Sequence, residues 1–557
     1  MRRTALFALL AVFAAAPAWA DGPAAAGSTT DMFSPAITPA HFAAYEKAIS
    51  SDAMDGRKPG TVGEQRATAY IVAQFKKLGL APGNHGSWFQ NVPYVSTTLD
   101  NKDVMLDVAE GGGTQHFANR TEMLAGTLQA KPQVALKNSD IVFVGYGIDA
   151  PAWQWNDYAG LDVKGKTVIV LVNDPGYATG DPKLFKGRTM TYYGRWTYKY
   201  EEAAREGAAA CFIVHDTGAA GYPWTVLVNS GAGPQLSLPA SEDPAPRLPV
   251  AGWLTTDAAR RLFAKAGLDF DRLKAAASHR GFKPVTLPAK ASIALDSTIT
   301  HGVTHNVLGL LKGSTQPDEA IVYSAHWDHF GRDPKLKGHQ IYNGAIDNGT
   351  GIAGLLSIAG AFAQQQPKPQ RSVLFAAVTL EEAGLLGSQY YVTHPAFPLD
   401  KTVADINMDA LDIIGPTKNM IVVGYGQSQL EDILKGVLAK QDRVATPETT
   451  PENGFYFRSD HFSFAKAGVP AMDTLTGNDL VHGGTVAGNA ALADYTAHRY
   501  HTTRDVYDPH WDFRGVADDL QALYGVGRQL ADGDAWPQWS KDSEFRARRV
   551  QMMGGKP

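Results

Sequence analysis

The sequence predicts an α/β protein, a mostly parallel sheet with helices on both faces that carries a smaller inserted α/β domain. Three observations carry that expectation. Apolar runs of strand length recur in the C-terminal half, among them "EAIVYSA", "SVLFAAVT", "KTVADINM" and "VPAMDTL", and strands apolar on both sides are the mark of a parallel sheet covered on both faces. Helical stretches such as "GIAGLLSIAGAFAQQ" and "LEDILKGVLAK" alternate with them, supplying the crossovers that parallel pairing requires. Between about residues 100 and 285 the texture shifts to short strands and turns ("DIVFVGYGI", "KTVIVLVND", "AACFIVHD") around one helical stretch, "YKYEEAAREGA", enough for a second core. A chain of 557 residues is also too long for one compact domain.

In chain order, residues 1–20, "MRRTALFALLAVFAAAPAWA", have a basic start, an apolar centre and an Ala-Trp-Ala end. This is the pattern of a secretory signal peptide, which predicts export to the periplasm or beyond. Residues 21–37 read as a flexible leader rich in Ala, Gly, Ser and Thr. Residues 38–98 form the N-terminal part of the main domain. In "EQRATAYIVAQFKKLGL" the apolar Ala69, Ile71, Val72, Phe75 and Leu78 recur at helical spacing, and Gly79 ends the helix. Residues 99–287 are the inserted domain, in which the aromatic segment "MTYYGRWTYKY" is either a ligand-facing loop or packing. Residues 288–535 are the larger part of the main domain, closed by a helix over 512–532, and 536–557 a C-terminal tail. No stretch after the signal peptide offers the roughly eighteen uninterrupted apolar residues of a membrane anchor.

The formal net charge of −5, more negative still without Arg2 and Arg3, provides no basic field for nucleic acid. The only cysteine, Cys211, sits in an apolar run. It reads as a small buried hydrophobe with no partner for an intramolecular disulfide.

Polar residues follow the predicted strands in a regular way. "IVYSAHWDH" delivers His326 and Asp328, "YNGAIDNGTG" Asp347, "TLEE" Glu381 and Glu382, "INMDA" Asp409, and "RYHTTRD" Tyr500 and His501. All are expected at the carboxyl rim of the sheet, where open parallel sheets bind ligands. Two histidines with three carboxylates suit zinc better than calcium or magnesium. Five side chains exceed the three or so that one catalytic zinc takes, whereas two zinc ions sharing a carboxylate would use them all. Singly each piece is commonplace: a His-Trp-Asp pair, a pair of glutamates at a helix start, an Asp-Asn-Gly turn.

In register, "SAHWDHFG", "NGAIDNGTG", "LEEAGLLGS", "NMD" and "YHTTRD" resemble the successive motifs of the M28 family of zinc exopeptidases. The stretches "WNDYAGLDVKGKTVIVLVND" and "GRWTYKYEEAAREGAAACFIVHD" resemble the protease-associated domain carried by many bacterial members. The resemblance implies that His326 and Asp409 hold one zinc, Glu382 and His501 the other, and that Asp347 bridges them. It implies that Asp328 orients the His326 imidazole, that Glu381 is the general base for a metal-bridging water, and that Tyr500 faces the oxyanion. One of two adjacent glutamates would thus bind metal while its neighbour moves a proton. It also implies a cis peptide after Asp347.

His329 and His461 are left out of the ligand set, with Ser459 read as a helix N-cap, and "FGRDPKLKGHQIY" is expected to loop over the site. A binding-only relative would lack ligands, whereas the set here is complete. The stretch "MDTLTGNDLVHGGTVAGNAALAD", read as a loop, contains no Arg or Lys to hold a terminal carboxylate, and Arg499 and Arg504 lie outside it. That points to peptide substrates cut at the N-terminus, with little effect of C-terminal amidation, rather than to a carboxypeptidase or dipeptidase.

Overall fold

The computed structural model describes residues 32–100, 103–231 and 233–555. The predicted signal peptide and the leader as far as residue 31 lie outside them. The end of the predicted leader is not a free segment. Ser34 exchanges hydrogen bonds with Gln521, its amide donating to Oε1 at 2.8 Å and its carbonyl accepting from Nε2 at 2.7 Å, and Ile37 is buried in the main core.

Four parallel strands form the centre of the main sheet, in the spatial order Arg371–Val378, Gln316–His326, Thr402–Asn407 and Ala471–Thr476. Every residue of Arg371–Val378 and Thr402–Asn407 is buried, which explains their unbroken apolar texture. The register pairs His326 with Val378 and Ser324 with Asn407, so these strands end at one rim and their following residues emerge together. Both flanks are antiparallel. On one side lie Val285–Leu311 and Phe89–Leu99, and on the other Asn419–Val422, itself parallel to Val444–Pro447.

Helices Pro39–Ile49, Val62–Lys77, Gly351–Gln364, Leu430–Leu438 and Arg514–Ala531 cover one face. They bury Phe42, Phe75, Leu355, Phe362, Leu434 and Leu523 against it. Each such side chain stabilises the fold by about 1.5–3 kcal/mol. The other face is covered by Leu386–Thr393, His461–Ala467 and Arg546–Met552, around Tyr391, Phe464 and Phe545. The last of these helices corrects the predicted tail: Trp539 and Arg549 are buried, and the Arg549 guanidinium donates to the carbonyls of Leu399 and Thr402 at 3.0 Å each.

The second sheet contains Met105–Glu110, Gly113–Ala118, Gln133–Phe143, Thr167–Leu171, Ala210–His215, Val250–Thr255 and Met123–Gly126. Apolar clusters lie on both of its faces. The boundary expected at 287/288 falls instead inside a strand. Val285–Leu311 runs unbroken through both sheets, pairing with Gln133–Phe143 as far as Asp296 and with Phe89–Leu99 from Ser297. The aromatic segment 190–200 packs, with Tyr198 and Tyr200 buried, and Tyr192 meets Phe462 of the main domain with ring centroids 5.3 Å apart.

Two predicted loops are structured. Residues Gly484–His498 form a helix of which Gly488 and Tyr495 are the buried residues. The segment after Phe330 folds as a short hairpin, Gly331–Arg332 against Ile341–Tyr342.

Candidate metal centre

His326 is the last residue of its strand, and the turns after the neighbouring strands deliver Glu381, Glu382 and Asp409 beside it. Asp347 enters from the turn that opens helix Gly351–Gln364. The Asp347–Asn348 peptide is cis, as the resemblance implies. The amides of Ile346 and Asp347 both donate to the Asp505 carboxylate at 3.1 Å, which aims the Asp347 side chain toward the rim. His501, at φ +56°, comes from the loop after helix Gly484–His498.

The two oxygens of Asp347 face different imidazoles. Oδ1 is 3.3 Å from His326 Nε2 and Oδ2 is 3.0 Å from His501 Nε2. Asp409 Oδ1 completes the first group at 3.2 Å from His326 Nε2, and Glu382 Oε2 the second at 3.4 Å from His501 Nε2. Ligand atoms about 2.0–2.1 Å from a tetrahedral ion stand about 3.3 Å apart, so these separations fit two adjoining zinc sites with Asp347 between them. The donor set of imidazole and carboxylate is also the one zinc favours.

Glu381 Oε2 is farther from His326 Nε2, at 3.8 Å. It is nonetheless near enough to His326 and Asp409 for the three to hold an ion together.

Asp328 does something other than expected. Its carboxylate is 3.8 Å from His326 Nδ1, and the ring nitrogen instead bonds the Asp328 main-chain carbonyl at 3.2 Å. The carboxylate accepts the Glu381 amide at 3.2 Å, so it fixes the turn carrying the two glutamates. His329, outside the predicted ligand set, is buried and its Nδ1 lies 2.5 Å from Glu382 Oε1. Burial pulls its imidazole down to about 3, which keeps the ring neutral and lets it donate to Glu382, the arrangement that orients metal-binding carboxylates. Ligand atoms of His329, Asp347 and Glu382 lie within 4.8 Å of one another, close enough to hold an ion. Ser459 is not the N-cap expected: that place is taken by Asp460, and the Ser459 hydroxyl accepts from Asn407 at 2.7 Å. His461 is buried, its Nδ1 3.9 Å from Asp473 Oδ2 and neither ring nitrogen in a hydrogen bond.

Tyr500 stacks on His501 with ring centroids 3.8 Å apart, and the residue is 44% exposed.

Sequence reasoning missed Arg57. It is fully buried and donates to four main-chain carbonyls: Trp327 at 2.8 Å, Ile49 at 3.1 Å, Asn343 at 2.5 Å and Gly344 at 2.9 Å. It thereby ties the turn that carries His326 and Asp328 to the one that carries Asp347.

Without a cation the cluster is electrostatically awkward. Burial pushes Glu381 well above the ordinary glutamate range, against the pull of His326 and with the repulsion of Asp409 and Glu382. Burial and Asp347 do the same to Glu382. Burial opposes a charge on His501, yet Glu382 and Asp347 carry its imidazole up to about 9. Five buried or half-buried carboxyl groups around two imidazoles call for positive charge.

Residues 306–523 match Peptidase family M28. Aminopeptidase NAALADL1 of Mus musculus is 31% identical over 137 residues, a stretch that makes up 23% of this chain and 17% of that protein. The probable leucine aminopeptidase 2 of Aspergillus oryzae is 29% identical over 213 residues, 35% of this chain and 39% of that protein. The chain thus spans less than half the length of these curated relatives. Among solved structures, the aminopeptidase from Aneurinibacillus sp. strain AM-1 has a TM-score of 0.50 at 18% identity, over 91% of this chain and 97% of that one, a likeness of fold. All eight predicted site residues, from His326 to His501, fall inside the segment that matches Peptidase family M28.

Proposed function

We propose that this protein is an exported aminopeptidase that removes single residues from the free N-termini of peptides with the help of two zinc ions. The observation that carries the reading is Asp347, which offers one oxygen to each of two imidazole–carboxylate pairs at 3.0–3.3 Å. His326 and Asp409 would hold one ion, His501 and Glu382 the other, with Asp347 shared. When bound, the ions supply Lewis acidity and lower the pKa of water.

The chain's own residues do the rest. Glu381 accepts the proton of the attacking water and returns it to the leaving amine, and Asp328 holds the Glu381 amide so that the carboxylate faces the scissile bond. Tyr500 donates its hydroxyl to the oxygen on which charge develops. The acidic surplus at Glu381 and Asp409 attracts a terminal ammonium, which favours the N-terminal end of a peptide. Export rests on the signal-like residues 1–20, and the inserted unit, read as a protease-associated domain, would limit access to chain ends.

The test is hydrolysis of matched peptides that differ at the N-terminus. Free peptides are expected to lose their first residue and N-acetylated ones to resist, with about two zinc ions per chain by elemental analysis. Cleavage of the acetylated peptides from the C-terminus would replace this reading with a carboxypeptidase.

A further inference from the structure

The two imidazoles of the metal centre are held in different ways. The His326 side chain is 1% exposed, ends a buried strand and is fixed through its Nδ1 by the Asp328 carbonyl at 3.2 Å. The His501 side chain is 37% exposed. It stands in a left-handed backbone conformation, φ +56°, on a loop after a helix of which Gly488 and Tyr495 are the buried residues. Its Nε2 faces Asp347 and Glu382, and among the described residues no polar group pairs with its Nδ1. A metal-binding histidine is ordinarily aimed by a hydrogen bond to that second nitrogen.

The groups that meet the His501 ring are aromatic. Tyr500 stacks on it with planes 23° apart, but Tyr500 belongs to the same loop and cannot fix that loop by itself. Phe330 arrives from a different element, directly after the turn that carries His326 and Asp328. Its ring centroid is 4.8 Å from that of His501 with planes 82° apart, the edge-to-face geometry that aromatic pairs favour.

Phe330 is itself braced. Its ring lies 4.6 Å from that of buried His329 and 5.8 Å from that of Tyr342, the latter edge-to-face at 80°. Tyr342 belongs to the hairpin of Gly331–Arg332 and Ile341–Tyr342, which is pinned to the N-terminal part of the main domain. Arg332 Nε donates to Asp55 Oδ1 at 2.9 Å, and Asn343 Nδ2 donates to the Ser50 carbonyl at 2.8 Å. Gly56 packs so closely on the hairpin that a Cβ there would stand 2.4 Å from the Gly331 carbonyl oxygen.

We propose that Phe330 is a positioning residue: its ring, braced by the hairpin, holds the His501 imidazole in place for the second zinc ion, as the Asp328 carbonyl does for His326. This inference rests on the two-zinc reading. It gives the segment after Phe330 a role beyond looping over the site, because the hairpin becomes the support of a ligand on the opposite wall. An aliphatic side chain of similar volume would fill the space without the edge-to-face contact.

The experiment measures the affinity of the full chain for each of its two zinc ions by competition with a chromogenic chelator. Phe330→Leu should weaken one ion by at least about tenfold, the lower end of what loss of an outer-shell partner costs, and leave the other within about twofold. Phe330→Tyr, which keeps the ring, should hold both ions within about threefold of wild type. A smaller loss in the leucine variant overturns the proposal. So does equal weakening of both ions, or a tyrosine variant as weak as the leucine one, since either marks a general structural role. In zinc-free wild-type protein with labelled histidine and phenylalanine, nuclear Overhauser effects are expected between the His501 and Phe330 rings, and their absence overturns the clamp. That readout needs no substitution, so it decides the matter if the leucine variant fails to fold. A wild-type chain that takes up one zinc ion or none counts instead against the two-zinc reading, and the ring-to-ring effects still test the clamp.

Discussion

Glu381 and Glu382 are neighbours in sequence, yet the proposed function gives them different work, so a single-atom exchange at each should fail differently. Glu382 Oε2 is 3.4 Å from His501 Nε2 and its other oxygen is held by His329 at 2.5 Å, whereas Glu381 Oε2 stands 3.8 Å from His326 Nε2. Glu381→Gln keeps the side-chain volume and the Asp328 contact to its amide, and removes only a proton acceptor. General-base catalysis contributes about 10²–10⁴ in rate, or about 2.7–5.5 kcal/mol of barrier. The turnover number should fall by that factor with both zinc ions retained. Glu382→Gln weakens a ligand and should cost at least the ~10- to 100-fold in affinity for one ion that loss of an outer-shell partner already costs. The assay is zinc per chain by elemental analysis after dialysis against a graded chelator, beside kcat on the same samples. Zinc loss in the position-381 variant with two ions retained at position 382 would refute the assignment.

Arg57→Met leaves four main-chain carbonyls without their buried donor and should destabilise the main domain by about 3–5 kcal/mol, read as a lower denaturant midpoint in both zinc-loaded and zinc-free protein. Asp505→Asn loses the charge that holds the Ile346 and Asp347 amides; it should weaken zinc binding in a chelator competition while the far-ultraviolet circular dichroism is unchanged. For zinc-free protein the pH dependence has a definite sign. His501 is raised from 6.5 to about 9 in the fold, so its stabilisation is fully present below about pH 6.5 and is lost as pH rises through about 9. The thermal midpoint of zinc-free protein should fall across that window, and a flat midpoint would contradict the pairing with Glu382 and Asp347.

The central strands were legible because burial on both faces leaves an uninterrupted apolar run, as in Arg371–Val378. His326, Glu381, Glu382 and Asp409 were legible because each ends or follows such a run, whereas Asp347 enters from a helix-opening turn and Tyr500 and His501 follow helix Gly484–His498. Helix Gly484–His498 was not, since just Gly488 and Tyr495 are buried in it and no apolar stripe marks it. Strands Asn419–Val422 and Val444–Pro447 are too short to show a period. Arg57 acts on main-chain carbonyls of one nearby and two distant segments, a role without any local pattern, and Asp505 stood in the quoted "RYHTTRD" with nothing to indicate that its partners are backbone amides. Asp328 lies against the His326 imidazole, as the resemblance implies, but meets it through its main-chain carbonyl at 3.2 Å, with the carboxylate at 3.8 Å.

The strand Val285–Leu311 has a mechanical meaning. Leu99 faces Ser297 across an antiparallel ladder, and the Asp100 amide continues it to the Asp296 carbonyl at 2.9 Å. The inserted unit therefore leaves the main sheet on a two-stranded beam of β-structure rather than on a pair of strings. Displacing it means flexing that beam, which stores elastic energy along the whole ladder and returns the unit to one resting position. The same feature makes the unit a cassette: its two ends already lie side by side, so a two-residue turn joining Leu99 to Ser297 would close the main chain with its strand register intact.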